Sequence, residues 1–383
     1  MIRIYLPDDF PEKVTPMFDK LAHKVWVRLG SNSIRYKRNG VRSSFKSEEE
    51  IKNFLLDPDF QSYKFPKTFW DQIGLLDDRC CLSNLQPTQS KQPSKSVKVL
   101  HERYPASSYQ TEYQQLAQQA QLLGKSGKTA TVAMLKGTKF FKINAPSVFL
   151  RTVFDYTAFL SPSLDRHRIL DAMDLTVCPY CNINYIFTYN IDGKRQSTAD
   201  LDHFYPKSIY PEYALCLYNM IPACSVCNSR LKLDQEMRKN THVYPFEDSF
   251  AGKLSFRLIH TGKDDPDAPA AGDALVPEFS QALAAPVSSR ASAEKEKITN
   301  SMQVFKTREI YEQQLDYALE LAEKVQIYND AFSTELKEDY PLLLDQTTVQ
   351  NLVFGKPESE EEYAGRSLGK LRMDLLRQFH IFK

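Results

Sequence analysis

The sequence predicts an α+β fold: a mainly α-helical chain of 383 residues with a small, metal-braced, β-rich unit in its middle. Two observations predict the β-rich unit. Cys-x-x-Cys pairs occur at 178–181 and again at 224–227, and the residues between them include runs of aromatic and β-branched side chains. A third observation predicts the helices, because apolar residues recur at three- and four-residue spacing from Ile310 to Val325 on a charged background.

The overall composition is typical of a soluble globular protein and gives no sign of a membrane protein. A hydrophobic content of 42% and a charged content of 25% are ordinary for a soluble globular chain. The sequence contains no apolar run of the roughly 18 residues that a membrane-spanning helix needs. Its first residues lack the pattern of a signal peptide, so we expect a cytoplasmic protein. The net charge of +1 argues against a protein that clamps long nucleic acid by a general basic excess.

Local patterns divide the chain into six predicted regions. A strand is expected at Ile2–Leu6, a short helix at Glu48–Leu56, helical packing at Val148–Leu160 and a final amphipathic helix at Leu368–Phe379. The predicted regions are a small N-terminal α/β unit (1–82), a linker (83–108), a helical segment (109–177), the zinc-braced unit (178–250), a loop or insertion rich in Ala, Pro and Asp (251–292), and a helical C-terminal region (293–383).

The cysteine spacing predicts a structural zinc site. Two Cys-x-x-Cys pairs supply four thiolates, the usual tetrahedral ligand set of such a site: Cys178, Cys181, Cys224 and Cys227. The long gap between the pairs means that the metal joins distant parts of the chain. The alternative is two unrelated pairs of buried or redox-active cysteines. Cys80, Cys81 and Cys216 remain, and an odd total of seven in a chain without an export signal argues against a disulfide framework.

The residues between the cysteine pairs predict the order strand, loop, strand, helix. Asn184–Tyr189 is expected to be a strand, Asp192-Gly193 a tight turn, and Lys194–Leu201 the returning strand. Asp202-His203 follows, and adjacent residues of an extended chain point to opposite faces. Asn228–Lys232, after the second cysteine pair, is free of Pro and Gly and suits a helix.

Asp202-His203, then Asn219, then Cys224-x-x-Cys227-Asn228 and Lys232 resemble the HNH nuclease motif, whose fold is a ββα-metal finger. The resemblance is to the branch in which two Cys-x-x-Cys knuckles bind a bracing zinc. Two sequence segments also resemble bacterial HNH proteins encoded beside an ATPase, such as the nuclease subunit of Septu-type phage-defence systems. They are Leu-Asp-His-Phe-Tyr-Pro-Lys-Ser and Tyr-Asn-Met-Ile-Pro-Ala-Cys. The resemblance covers the zinc-braced unit and says little about residues 1–147.

The resemblance implies a role for each motif residue. His203 matches the general base, and Asn219 matches the middle Asn that orients the loop and the base. Asp202 and Asn228 match the ligands of a catalytic Mg²⁺ or Mn²⁺, which prefer hard oxygen donors. Asp200 is interpreted as a solvated strand residue or an outer acceptor. Three basic residues close by in the sequence could hold the backbone phosphate: Lys207, Arg230 and Lys232.

Together these features predict a metal-dependent HNH endonuclease that cleaves DNA, the effector of a bacterial anti-phage system that works with an ATPase partner. The motif is also compatible with RNA cleavage. The alternative is a non-catalytic, zinc-stabilised nucleic-acid-binding or scaffold protein. A polar helix at Tyr109–Leu123 and the C-terminal helices are the candidate surfaces for docking the ATPase.

Overall fold

The structure, a computed structural model, describes most of the chain outside one long segment. The described residues are 1–36, 45–63, 150–160, 164–208, 210–261, 272–284, 288–328, 346–356 and 358–381. Several sequence predictions fall outside these ranges: the linker at 83–108, the polar helix predicted at Tyr109–Leu123, and the residues Cys80 and Cys81.

The first residues are extended but are not part of a strand. The backbone N–H of Ile2 donates to the carbonyl of Pro179 at 2.9 Å, and that of Ile4 donates to the carbonyl of Pro245 at 2.7 Å. Ile2 and Ile4 are buried while Arg3 is exposed, as the alternation predicted. The expected strand was wrong because the partners are single carbonyls of two different loops, and no strand among the described residues completes a ladder with it.

Two helices form the rest of the N-terminal region. Helix α1 spans Phe10–Tyr36 and was not predicted, and α2 spans Glu48–Leu56 as predicted. Helix α2 begins after Ser47, whose side chain accepts a hydrogen bond from the backbone of Glu50. The two helices pack together, and α1 buries an apolar stripe of Val14, Phe18, Leu21, Val25 and Leu29.

The helical segment before the cysteines is interrupted. Residues 150–153 are helical, and then Asp155 caps a new short helix, α3 (Tyr156–Phe159), by accepting from the backbone of Ala158. Helix α4 spans Leu164–Met173. The single helix expected at Val148–Leu160 is therefore broken at Asp155, because this side chain bonds the backbone amide that begins the second helix.

Three two-stranded antiparallel sheets follow. They pair β1 (Thr188–Ile191) with β2 (Lys194–Ser197), β3 (Ala199–His203) with β4 (Met220–Cys224), and β5 (Leu254–Thr261) with β6 (Gly272–Phe279). The turn between β1 and β2 has Asp192 and Gly193 at φ 50° and 72°, which confirms the predicted tight turn. The returning strand expected at Lys194–Leu201 is split at Thr198. Before this residue, β2 pairs with the preceding strand β1, and after it, β3 pairs with the later strand β4.

The loop or insertion expected at 251–292 was wrong in its secondary structure. It contains β5, β6 and a short helix, α5 (Gln281–Ala284), although residues 262–271 are not described. A carboxylate far along the chain supports the edge of β5: Asp374 accepts from the backbone N–H of Phe256 at 3.0 Å. Such a tertiary contact leaves no signal in the local composition.

The C-terminal region is helical, as predicted. It comprises α6 (Ser289–Phe305), α7 (Thr307–Glu312), α8 (Leu315–Ile327), α9 (Gln346–Phe354) and α10 (Gly369–Gln378). Helix α10 was predicted to be amphipathic, but Gly369–Leu376 is buried throughout. Its charged side chains bond inside the protein: Lys370 donates to the carbonyl of Leu254 at 2.6 Å, and Arg372 donates to that of Phe354 at 2.5 Å. Among the helices in the described ranges, none is long and apolar enough to cross a membrane.

Candidate functional site

The two cysteine pairs converge on one buried cluster. The sulfur atoms of Cys178, Cys181, Cys224 and Cys227 all lie within 4.8 Å of one another. Four sulfurs around a zinc ion, each about 2.3 Å from it, would be about 3.8 Å apart. The cluster, called here the cysteine cluster, therefore has the donor set and the spacing to hold a structural zinc ion.

Local backbone geometry shapes the first cysteine pair into a knuckle. The N–H of Cys178 donates to the carbonyl of Asn184 at 3.0 Å, and the N–H of Asn182 donates to the carbonyl of Cys178 at 2.8 Å. Asn182 has a left-handed backbone with φ 53°, a conformation that Asn adopts more readily than most residues. The side-chain amide of Asn184 lies 3.3 Å from Sγ of Cys224, so it can donate to a thiolate across the cluster.

The second pair closes the cluster from the other side. Cys224 ends β4, and the N–H of Cys227 donates to Sγ of Cys224 at 3.5 Å. Burial raises the pKa of the Cys178 thiol, whereas the neighbouring sulfurs lower the pKa of Cys224. Metal binding by such a set releases protons. Cys216 is fully buried but lies outside the cluster, with its Sγ 3.9 Å from the carbonyl of Phe54.

His203 ends β3 and is held in one orientation. Its Nε2 lies 2.9 Å from the carbonyl oxygen of Ala214, which can only accept, so Nε2 carries the proton and Nδ1 keeps its lone pair. Burial, and then the positive charges of Lys207 and Lys232, lower the pKa of His203 to about 3, and the Ala214 hydrogen bond opposes the change. The imidazole is therefore neutral at pH 7.

Asn219 fixes the loop that follows His203. It is fully buried, and its Oδ1 accepts from the backbone N–H of Tyr205 at 2.8 Å. Its Nδ2 donates to the carbonyls of Tyr205 at 3.1 Å and Tyr213 at 3.0 Å. These bonds make Asn219 a brace for the loop between β3 and β4, the role that the resemblance implied.

The ring of Tyr156 contacts both His203 and a basic side chain. The sequence did not predict that Tyr156 is part of the site. Its ring meets the His203 imidazole edge to face, with centroids 4.7 Å apart. The ammonium of Lys207 lies 4.4 Å from the centroid of the Tyr156 ring. Lys207 itself is exposed, so a positive charge lies at the surface close to His203. Tyr156 belongs to α3, which the sequence places far from the motif.

Asp202 and Lys232 form a buried ion pair. Nζ of Lys232 lies 3.0 Å from Oδ1 of Asp202, and the two side chains are 1% and 3% exposed. The hydroxyl of Tyr180 donates to Oδ2 of Asp202 at 2.6 Å. The expectation that Lys232 holds a phosphate is wrong, because its ammonium is buried and points into the protein. Each carboxylate oxygen of Asp202 thus accepts from one donor, and the assignment of Asp202 as a ligand of the catalytic cation stays a prediction.

Asn228 is paired with Asp200. Nδ2 of Asn228 lies 3.1 Å from Oδ2 of Asp200, and both residues are half-buried. Arg166 of α4 donates to Oδ1 of Asp200 at 3.3 Å and to the carbonyl of Ala199 at 2.6 Å. The strand alternation could have identified Asp200, since it lies on the same face of β3 as Asp202. Arg166 has no signal in the sequence.

The structure thus brings some of the predicted site residues together. The four cysteines converge, Asn219 braces the loop that follows His203, Asp202 pairs with Lys232, and Lys207 lies over the Tyr156 ring that contacts His203. The helix predicted at Asn228–Lys232 is confirmed as the six-residue π-helical turn Cys227–Lys232, and Arg230 is exposed in its last turn. Comparisons with family models, with curated proteins and with solved structures gave no match.

Proposed function

We propose that the chain is an HNH-type endonuclease that hydrolyses phosphodiester bonds of DNA with the help of a divalent cation. The observation that carries the proposal is the state of His203: a neutral imidazole whose Nε2 is fixed by Ala214 and whose Nδ1 retains its lone pair. A fixed, neutral imidazole is suited to remove a proton from water. It stands in the residue order that resembles the HNH motif, on a strand paired with the one that ends at Cys224.

The proposed reaction uses this geometry. Nδ1 of His203 takes a proton from a water molecule, and the water oxygen forms a bond to phosphorus while the bond from phosphorus to the 3′ oxygen breaks. The 3′ oxygen leaves with the electron pair of that bond and takes a proton from solvent. The exposed ammonium of Lys207, beside His203, offsets the charge of the phosphate. A divalent cation, when bound, would stabilise the negative charge that develops on the leaving oxygen.

The two metals would have separate tasks. Zinc in the cysteine cluster has no open position and would brace the strands. The catalytic cation would use the amide oxygen of Asn228 together with a carboxylate. Asp202 is the carboxylate that the resemblance assigns to this role, and its two oxygens also accept from Lys232 and Tyr180.

A role in anti-phage defence with an ATPase partner rests on the resemblance in the sequence. The net charge of +1 supports the view that another component delivers the DNA. Helix α10 is buried and is not a docking surface. Helices α8 and α9 expose Ile327 and Leu352, at 62% and 65%, and stay candidate docking elements.

Cleavage of a supercoiled plasmid with Mg²⁺ or Mn²⁺, with and without a chelator, tests the proposal. His203→Ala should lower the rate by at least about 100-fold, because the general base is lost. His260→Ala is the matched control, since His260 is an exposed β5 residue paired with Asp273. Cleavage that persists in His203→Ala would contradict the assignment. DNA binding without cleavage, also with a candidate ATPase present, would favour the non-catalytic scaffold, and a parallel RNA substrate identifies an RNA nuclease.

A further inference from the structure

We infer that Arg166 is a substrate-binding residue that contacts a backbone phosphate of the DNA close to the phosphate that is attacked. Arg166 lies in α4, outside the segment that resembles the HNH motif. The inference rests on the proposed function, because it names a residue with which the proposed site would hold its substrate.

Arg166 is anchored at the beginning of β3 by one of its nitrogens. Its Nη2 donates to the carbonyl of Ala199 at 2.6 Å and to Oδ1 of Asp200 at 3.3 Å. A guanidinium has five N–H donors on three nitrogens, and both bonds that Arg166 makes to the described residues use Nη2. Nε is buried, while the side chain as a whole is 24% exposed. The two N–H groups of Nη1 are therefore the donors left for a ligand.

Arg166 lies one side chain away from a residue that the resemblance assigns to the catalytic cation. Asp200 accepts from Arg166 through Oδ1 and from the amide nitrogen of Asn228 through Oδ2, at 3.1 Å. Asn228 matches a ligand of the cation that would sit against the substrate phosphate. A DNA backbone that passes Asn228 therefore also passes close to the guanidinium of Arg166.

The charge of Arg166 also acts on the aromatic ring that contacts His203. Burial raises the pKa of the Tyr156 hydroxyl; the charge of Arg166 opposes this change, and that of Asp200 adds to it. The same ring meets the His203 imidazole with centroids 4.7 Å apart and has the Lys207 ammonium 4.4 Å from its centroid. Tyr156 thus lies within range of two cations from different elements, one on α4 and one after β3.

The position of Arg166 along β3 indicates which phosphate it contacts. Asp200 precedes His203 by three residues, or about 10 Å of extended strand. One DNA strand carries a phosphate for about every 3.4 Å of helix axis, so Arg166 would meet a phosphate within about three nucleotides of the attacked one. Such a contact is the same in the ground state and the transition state. Its loss should raise KM and leave kcat nearly unchanged.

The alternative is an ion pair of Arg166 and Asp200 that only supports β3. The two side chains are 24% and 34% exposed, and such pairs contribute little to stability. If the pair were only structural, Asp200→Asn and Arg166→Ala should have the same effect. A phosphate contact gives different effects, because Arg166→Ala removes the positive charge that DNA needs, whereas Asp200→Asn removes a negative charge that repels DNA.

Salt-dependent DNA binding by the zinc-loaded full chain separates these alternatives. The probe is a short DNA duplex without added Mg²⁺, and the readout is fluorescence anisotropy. Arg166→Ala should raise the Kd about fivefold and reduce the slope of log Kd against log salt concentration by about 1. Arg166→Lys should keep the slope because it keeps the charge. Arg168→Ala is the matched control, since Arg168 is exposed on the same helix about 200° further round.

Asp200→Asn should bind the duplex at least as tightly as the wild type, and all variants should retain the zinc content and Tm of the wild type. An unchanged salt slope in Arg166→Ala, or an equal loss of affinity in Asp200→Asn, would overturn the inference. So would a wild-type chain that binds no duplex at low salt. In cleavage assays, Arg166→Ala should raise KM about fivefold at an unchanged kcat. If the wild type binds with the expected dependence on Arg166 but cleaves nothing, the nuclease proposal alone fails.

Discussion

Asn182 joins the first cysteine knuckle to the last helix: its Oδ1 accepts a hydrogen bond from the backbone N–H of Lys370 at 3.0 Å. Its Nδ2 donates to the carbonyl of Tyr363 at 2.8 Å, and its own carbonyl accepts from Leu368 at 2.7 Å. Asn182 is fully buried beside Cys181. The C-terminal helix therefore belongs to the same folded unit as the cysteine cluster.

Asn182→Ala should destabilise the protein by about 2–4 kcal/mol. The substitution leaves the N–H of Lys370 and the carbonyl of Tyr363 without their partner. It also places alanine at a left-handed φ, which is strained for a residue with a Cβ and no side chain that can hydrogen-bond locally. Urea unfolding of the zinc-loaded chain measures the loss. Asn182→Gly should lose less, because glycine adopts that φ without strain. The exposed Asn190→Ala should change stability by no more than about 0.5 kcal/mol; a loss as large as that of Asn182→Ala would contradict the argument.

Zinc removal should unfold the central unit. The four sulfurs converge within a unit whose sheets, in the part of the chain that the structure describes, have two strands each, so the metal would supply much of its stability. Elemental analysis of the purified chain should find one zinc ion, and Cys178→Ser should lose it together with a large part of the Tm. Cys216→Ser is the control, because Cys216 is equally buried but lies outside the cluster. Full zinc content in Cys178→Ser would argue against a four-cysteine site.

Lys207→Ala should weaken DNA binding without lowering stability. Lys207 is exposed beside the base, so its loss removes one phosphate contact, worth roughly 1 kcal/mol or about fivefold in Kd. Titrations at several salt concentrations should also show a smaller salt slope. Lys194→Ala, an exposed change at the start of β2, is the control. Identical salt slopes for the wild type and Lys207→Ala would exclude a phosphate contact at this position.

His242 should make the protein less stable in mild acid. Burial, and then the charges of Lys232 and Arg238, lower the pKa of His242 to about 4, from an unfolded value near 6.5. Between these values the unfolded chain binds more protons, so stability falls as the pH drops from 6.5 towards 4. Relative to His242→Gln, the wild type should lose roughly 2 kcal/mol more between pH 7 and pH 5, measured by urea unfolding at each pH. The control is His260→Gln, at an exposed position, whose free energy of unfolding should change with pH as that of the wild type does. If the free energies of unfolding of the wild type and His242→Gln changed in parallel with pH, the lowered pKa would be contradicted.

The features that the sequence predicted correctly depend on short-range geometry. The cysteine spacing, the Asp192-Gly193 turn and the Glu48–Leu56 helix each require only a few neighbouring residues, so a pattern in the sequence is enough to identify them. The β5–β6 hairpin and the burial of α10 were not predictable in this way. Both depend on contacts such as that between Phe256 and Asp374, which are distant along the chain.

The candidate site likewise has features that the sequence predicts and features that depend on tertiary contacts. By itself, the sequence determined that four cysteines could share one ion, since residue type and spacing specify such a set, and it placed His203, Asn219 and Asn228 in an order that resembles the HNH motif. Tertiary structure alone decided which carboxylate is enclosed and which is accessible. Asp200 and Asp202 occupy the same face of β3, and the difference between them comes from Tyr180 and Lys232 on one and from Arg166 and Asn228 on the other. Those neighbours are brought together by packing, for which a single sequence carries no local signal.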